Sequence, residues 1–333
     1  MDGLCEKLIA NYEINASNVR KTKGYYVMSD ANANTYSLRK TSDSDERIAL
    51  RLLLQEHLVN NGFVDIEKIY KTKTGELFAS LGEQKYILCD NIVGRESDFN
   101  EPGELTKILT KLALFHYKTE GLSEVCEQFY AKDLTQSLSK MRTELAMLRK
   151  KVVASKSLSN FDILFLKNYE HYEKNIHMSS ELLKSAKYSE KLKDAFSKNS
   201  FCHNMLKKES LVIKDGEVFI AMLSGAYVDH FSADIALVIN KYMKYVTQRQ
   251  VGIVELIDKY CDCAKTEVDG DDLKIILARL LMPGAFLEAA REYYSKKRSW
   301  APSALISEIE HEINSKAQAF EYIEPLMRIC GLD

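Results

Sequence analysis

The sequence predicts an α+β protein of two lobes, with a small N-terminal lobe on an antiparallel sheet and a larger, mostly helical C-terminal lobe. Three observations lead to this prediction. Short apolar runs separated by turn-rich pieces, and interrupted by one helical stretch, fill residues 1–94. Helical periodicity dominates residues 95–333. Within this second part, two apolar runs near 211–222 flank Asp215-Gly216, a pair typical of a hairpin turn.

Local signals justify each element in order. The runs GYYVMS, TYSLRK, IEKIYKT and KYILCDNI predict the strands of the first lobe. A helix is expected between the capping residues of TSDSDE and Gly62, whose position suits a helix end. In the second lobe, apolar residues recur on one helical face in the segments 105–115 and 134–152. Further helices are expected from about Ala233, Val251, Asp271, Gly284 and Ser303.

Composition limits the partners. Lys and Arg total 46 against 48 Asp and Glu, so a net charge of -2 provides no field that would collect nucleic acid or an anionic membrane. No apolar run approaches the length of a membrane span, and the N-terminus lacks the features of a signal peptide. Seven scattered cysteines do not suggest a disulfide framework. We therefore expect a chain in a reducing compartment with protein or small-molecule partners and no nucleic acid.

Two long stretches carry a family resemblance. YKTKTGELFASLGEQKYILCDNIVGRESDF and LARLLMPGAFLEAAREYYSKKRSW resemble the CotS-type spore coat proteins, relatives of aminoglycoside phosphotransferases and choline kinases. The order CHNM, hairpin, MLS and DIA is similar to the family order of CHxD, hairpin, an Asp-centred metal motif and DLA. The similarity covers roughly residues 10 to 330. It implies a two-lobed protein-kinase-like fold, synthesis in the mother-cell cytoplasm, a place in the spore coat and other coat proteins as partners.

The catalytic motifs of that family fall on residues that lack the required chemistry. The pattern His-x-Asp-x-x-x-x-Asn falls on His203, Met205 and Ser210. The metal-binding Asp falls on Met222, which is followed by Leu and Ser224. A thioether neither accepts a substrate proton at neutral pH nor holds Mg²⁺, which requires oxygen ligands. We therefore predict no catalytic residue and no bound metal at these degenerate positions, and we expect His203 to support its loop.

The nucleotide side of the resemblance is also altered. The loop DANAN, between GYYVMS and TYSLRK, lacks the glycines that let backbone amides approach phosphate, and only Gly24 remains one strand earlier. The family's phosphate-pairing Lys falls on Arg39, and its partner on the helix could be Glu56, with Glu46 as the alternative. Arg39 and Glu56 thus form a predicted vestigial nucleotide site, and a surface cation or an ion pair between the lobes are the open alternatives for Arg39.

Three functions remain open at this point. The favoured hypothesis is a catalytically degenerate, pseudokinase-like spore coat protein that acts by binding and needs no cofactor, because the base and the metal anchors are lost together. The second is an ATP- and Mg²⁺-dependent small-molecule phosphotransferase in which Asp229 or Asp234 replaces the lost ligands. For Asp234, at the start of a helix, capping or loop bracing is the favoured role. The third is a small-molecule binding protein with an apolar cleft lined by Met205 and Met222.

Overall fold

A six-stranded antiparallel sheet forms the first part of the protein. The structure is a computed structural model that describes residues 3–22, 24–245, 251–264, 267–295 and 302–332. The sheet has the order β1-β2-β3-β6-β4, and β5 also pairs with β6. Its strands are β1 (Ser17–Lys21), β2 (Tyr25–Ser29), β3 (Thr35–Thr41), β4 (Ile69–Tyr70), β5 (Ala79–Leu81) and β6 (Gln84–Asp90).

Two helices accompany this sheet, α1 (Gly3–Ile9) and α2 (Asp45–Asn60). α2 begins where the sequence predicts, because the side chain of Ser44 accepts a hydrogen bond from the backbone N–H of Arg47. Its end is followed by Gly62 at φ 79°, a left-handed conformation that suits glycine. An antiparallel sheet interrupted by one helix is thus confirmed, and α1 is an addition that the sequence signals did not predict.

Helices make up most of the remainder. α4 buries the predicted stripe of Leu138, Leu145 and Val152 and packs against α5, so the stripe belongs to the core. The predicted fold class is confirmed. The helices are α3 (Pro102–Thr119), α4 (Leu134–Val153), α5 (Asn160–Ser185), α6 (Tyr188–Lys198), α7 (Ser232–Tyr245), α8 (Ile253–Cys261), α9 (Gly270–Leu281), α10 (Gly284–Ser295) and α11 (Pro302–Ile329). Among the residues described, no helix is both long and apolar enough to cross a bilayer.

Two small sheets lie within the helical part. The predicted hairpin consists of β9 (Leu211–Lys214) and β10 (Glu217–Ile220), and both residues of its turn, Asp215 and Gly216, have positive φ. β7 (Arg95–Glu96) pairs with β9, and β8 (Phe201–Cys202) pairs with β11 (Tyr227–Val228). The pairing of β8 with β11 brings the loop after β8 next to the turn before β11.

The sheet lobe and the helical part are joined by backbone and side-chain contacts. The N–H of Ile220 on β10 donates to the carbonyl of Asp65 at 2.9 Å, and Ile220 accepts from the N–H of Glu67 at 2.9 Å. From α2, Arg47 donates to the carbonyl of Ala226 at 2.6 Å. The segment between β6 and α3 contains the predicted lobe boundary at 94/95, which stays a prediction.

Candidate functional site

The loop after β8, residues 203–210, is held by a buried carboxylate in the first turn of α7. Asp234 accepts hydrogen bonds from the backbone N–H of His203 at 2.7 Å and of Asn204 at 2.9 Å. Bonds to an ionised acceptor are stronger than neutral ones, so this contact fixes the start of the loop. Of the roles considered for Asp234, loop bracing is the one that the structure shows.

The same carboxylate is part of a buried chain of polar groups. His116 on α3 lies 2.9 Å from Asp234 through Nε2, and its Nδ1 lies 2.8 Å from the hydroxyl of Tyr260 on α8. Burial by itself raises the pKa of the Asp234 carboxyl, but the hydrogen bonds from His116 and from the loop amide hold that pKa below its ordinary value. Asp234 is therefore ionised and fully engaged within the protein.

His203 has a supporting role. Its Nε2 lies 2.8 Å from the carbonyl of Ala221 and its Nδ1 lies 3.3 Å from the backbone N–H of Met205. A carbonyl only accepts and an amide N–H only donates, so Nε2 carries the proton and the ring is neutral. Burial lowers the pKa of His203, which favours the same neutral form. The imidazole connects Met205, which precedes the β9–β10 hairpin, to Ala221, which follows it, and presents no free nitrogen to a substrate.

Ser210 closes the other end of the loop. Its hydroxyl is fully buried, accepts from the N–H of Lys207 at 2.8 Å and lies 2.9 Å from the carbonyl of Met205. The one hydroxyl proton is used inside the loop, so Ser210 does not offer a ligand to the cleft in the way that the family's amide side chain would.

The turn that follows Met222 lies against the loop that carries Met205. Met222 adopts a left-handed backbone with φ 61°, and its N–H lies 3.2 Å from the carboxylate of Glu67. A one-turn 3₁₀ helix follows at Leu223–Gly225 and contains Ser224. A Cβ built on Gly225 would lie 2.5 Å from the Cβ of Met205, so this turn rests directly on the loop after β8.

Magnesium does not fit these residues. Thioether sulfur is too soft to bind Mg²⁺. Asp229 and Asp234, the replacement ligands of the second hypothesis, bind other groups of the protein. Asp229 is buried and forms an ion pair with Arg279 at 2.9 Å, and Asp234 holds the loop amides. Within the described ranges, one trio of metal-ligating side chains clusters, His116, Cys202 and Asp234, but all three are buried and the first and last bond each other.

The predicted pairing of Arg39 with Glu56 is wrong. Arg39 on β3 pairs with the buried Glu67 at 2.7 Å, and Arg51 of α2 approaches the same carboxylate at 3.8 Å. Glu56 lies five residues after Arg51, about 140° around the helix, and its exposed carboxylate is 3.7 Å from Lys71. Glu67 thus balances Arg39 from inside the protein. Nucleotide binding at Arg39 or Glu56 stays a prediction.

The DANAN loop forms the turn between β2 and β3, where the sequence predicts it. This turn, residues 30–34, is organised by Asp30, which accepts from the N–H groups of Asn32 and Asn34 at 2.9 Å. It lies at the start of β3, whereas Arg39 is four residues further along and pairs across the sheet with Tyr25. β1 ends at Lys21 and β2 begins at Tyr25, and residue 23 between them lies outside the described part of the chain.

A cavity of about 480 Å³, lined by apolar and polar side chains, adjoins the loop after β8 at Asn204. Its apolar lining includes Met141 of α4, Met243 of α7 and Met282, which follows α9. The cavity therefore lies among the helices and is lined by these methionines, whereas the third hypothesis expected a cleft lined by Met205 and Met222.

Solved structures with the same architecture identify the fold. An aminoglycoside phosphotransferase from Alicyclobacillus acidocaldarius is similar with a TM-score of 0.84 and 13% identity, covering 98% of this chain and 96% of that one. A choline kinase from Cryptosporidium parvum is similar with a TM-score of 0.55 and 14% identity, covering 99% of this chain and 97% of that one. The fold is the kinase-like fold of aminoglycoside phosphotransferases and choline kinases.

The family follows from the sequence comparisons. The chain belongs to the family described as "Spore coat putative kinase YutH", which matches residues 5–326. It is also 21% identical to spore coat protein S of Bacillus subtilis (strain 168) over 299 residues, which cover 87% of this chain and 83% of that protein. The resemblance to spore coat proteins with a kinase-like fold is confirmed.

Proposed function

We propose that the protein is a catalytically degenerate member of its family that acts in spore coat assembly by binding and does not transfer phosphoryl groups. The observation that carries the proposal is the pair Met205 and Met222, which stand at the base and metal positions of an otherwise retained loop and turn. The family and its coat relative support a setting in the spore coat after synthesis in the mother cell.

The electrostatics around the loop support this proposal. Phosphoryl transfer depends on cations around the phosphates, on Mg²⁺ held by oxygen ligands and on an acid that orients the attacking hydroxyl. Met205 and Met222 supply neither ligand nor acid, and Asp229 and Asp234 are engaged inside the helical lobe. Glu67 already balances the charge of Arg39. In the described part of the chain, Arg39, Asp229 and Asp234 are therefore all paired with other groups of the protein.

Typical magnitudes lead to the same conclusion. Removal of a single positioned base or charge-stabilising group lowers an enzymatic rate by about 10²- to 10⁴-fold. In this chain Met205 stands at the position of the base, and Ser210 and Met222 stand at the two metal-binding positions. The losses of rate from groups that act together do not add simply. We therefore expect no measurable phosphoryl transfer and no cofactor requirement.

Thermal unfolding of the purified protein across ATP concentrations, with Mg²⁺ and with EDTA, tests the proposal. A ligand that binds only the native state stabilises it by about 2.7 kcal/mol at 100 times its dissociation constant. We expect no Mg²⁺-dependent shift. A shift that is equal with EDTA would leave a nucleotide-binding scaffold without transfer. A Mg²⁺-dependent shift together with ATP-dependent phosphorylation that Arg39→Ala abolishes would establish the rearranged phosphotransferase in its place.

A second candidate function is the binding of a small molecule without its conversion. The cavity beside Asn204 favours it, because about 480 Å³ lies within the range of roughly 300–1,000 Å³ of ligand pockets. A screen of small molecules by thermal unfolding, repeated with Met141→Trp to fill the cavity, tests this candidate. Saturable binding that the substitution removes would support it, and the lack of any saturable binder would count against it.

A further inference from the structure

The end of the α4–α5 hairpin carries a cluster of exposed apolar side chains. In the described part of the chain, nine large hydrophobic residues are exposed, and four of them fall between residues 147 and 163. They lie in the last two turns of α4, in the connection and in the first turn of α5. These four are Met147, Val153, Leu158 and Ile163. We call residues 147–163 the hairpin tip.

Positive charge surrounds these apolar side chains. From residue 145 to residue 161 the chain contains no Asp or Glu and contains four cations, Arg149, Lys150, Lys151 and Lys156. Met147, Lys150 and Val153 follow one another at a spacing of three, which places them as neighbours on the helix surface. Lys150 and Lys156 are exposed. The hairpin tip is thus an apolar surface with a basic border.

An apolar groove with an acidic border lies on the sheet lobe. It encloses about 380 Å³ between α2 and residues 124–129, and we call it the α2 groove. Its apolar lining includes Leu53, Leu77 and Phe129. Three carboxylates border it, those of Glu46, Glu56 and Glu124, against one cation, Lys71, which lies 3.7 Å from Glu56. Three negative charges minus one positive charge leave a net charge of -2 along the lining.

The geometry of α4 prevents the hairpin tip from filling the groove of its own molecule. α4 is a 20-residue helix and is therefore about 30 Å long. It begins at Leu134, a few residues after Phe129 in the groove, and it ends in the tip. A helix packed along α5 over this length does not fold back on itself, so an occupant must come from another molecule.

We propose that the hairpin tip of one copy of this chain docks in the α2 groove of a second copy. Apolar side chains of the tip enter the groove, and Lys150 and Lys156 face Glu46 and Glu124. The two surfaces differ, so the contact is heterologous and each bound copy still presents a free tip and a free groove. Repetition of the contact joins copies head to tail. This extends the proposed binding role, but the contact does not depend on what happens at Met205 or Met222.

Sedimentation velocity of the full chain over a range of concentrations, without nucleotide, tests the proposal. We expect the mean mass to rise with concentration and to fall with added salt, which screens charges beyond about 8–10 Å. The groove variant Glu46→Lys/Glu124→Lys and the tip variant Lys150→Glu/Lys156→Glu should each weaken association by about tenfold or more, because like charges then meet. An equimolar mixture of the two variants should associate again, since each reversed surface meets an unlike charge on the other variant.

A matched control uses two exposed lysines of α5 outside both surfaces. Lys167→Glu/Lys174→Glu changes the net charge as much as the tip variant does, and it should leave association unchanged. Thermal unfolding of each variant verifies that it is folded. A chain that stays monomeric at all concentrations, or association that both charge reversals leave unaltered, would overturn the proposal, and neither result would bear on the absence of phosphoryl transfer.

Discussion

Replacement of Glu67 by Gln should destabilise the protein because it removes a buried carboxylate that contacts two guanidinium groups, of which Arg51 keeps a second partner in Asp43 at 3.4 Å. The side chain of Glu67 is 2% exposed and contacts Arg39 at 2.7 Å and Arg51 at 3.8 Å. Loss of one partner of a buried ion pair costs about 3–5 kcal/mol. The Arg39 side chain is 31% exposed and regains some solvation, so we expect about 2–3 kcal/mol here.

The corresponding change in melting temperature follows from chain length. An unfolding entropy of about 2.1 cal/mol/K per residue gives about 0.7 kcal/mol/K for 333 residues, so Tm should fall by about 3–4 °C. Differential scanning calorimetry at pH 7 measures it. Glu56→Gln is the matched control, because its carboxylate is exposed and lies 3.7 Å from Lys71; it should change the free energy of unfolding by less than about 1 kcal/mol.

A second readout separates charge balance from packing. With Glu67 neutral, the charge on Arg39 is no longer balanced from inside, so tripolyphosphate should raise Tm more in Glu67→Gln than in the wild type. Equal melting temperatures for Glu67→Gln and the wild type, or an equal loss in both Gln variants, would show that the ion pairs do not contribute as reasoned.

Three other substitutions address the loop and the contact between lobes. Gly225→Ala should lower the free energy of unfolding by about 1–3 kcal/mol, because the added Cβ would lie 2.5 Å from the neighbouring loop. The control Gly103→Ala places its Cβ in open space, and similar urea midpoints for the two variants would contradict this reasoning. Burial holds the pKa of His203 below 6.5, so the unfolded chain binds a proton that the native state does not, and stability should fall as pH drops below about 6.5. His203→Gln should flatten part of that fall in Tm between pH 7 and pH 5, and an unchanged profile would refute the assignment. Arg47→Ala removes a hydrogen bond and two ring contacts at 4.3 and 4.4 Å, so it should lower the free energy of unfolding in urea by about 2 kcal/mol. The control Arg142→Ala replaces an exposed arginine and should lower it by less than about 0.5 kcal/mol. Equal losses in the two variants would show that the contact of Arg47 between the lobes does not stabilise the protein.

The order of elements could be predicted because its signals are local. Ser44 caps α2 through its own side chain, and the Asp215-Gly216 pair adopts the positive φ values that its hairpin turn requires. Met205 and Met222 flank that hairpin, and their assignment to the base and metal positions stays a prediction. These parts of the fold and site depend on neighbours within a few residues.

The errors have a physical origin in weak or distant signals. β1 has the exposure pattern of a solvated edge strand, with four of its five residues exposed, so it carries no apolar alternation and escaped prediction. The partner of Arg39 was missed because Glu67 lies on a connection after α2, and no periodic pattern indicates which way such a residue faces.

The bracing of the loop by Asp234 has a consequence for how such a protein changes over generations. Asp234 holds the loop through the backbone amides of residues 203 and 204, and Ser210 closes it through backbone groups, so its course does not depend on the side chain at position 205. Folding therefore depends on Asp234 and Gly225, whereas it places no requirement on the chemistry of the side chain at position 205. If an acid stood at position 205 in an ancestor, its replacement by methionine would leave the loop folded.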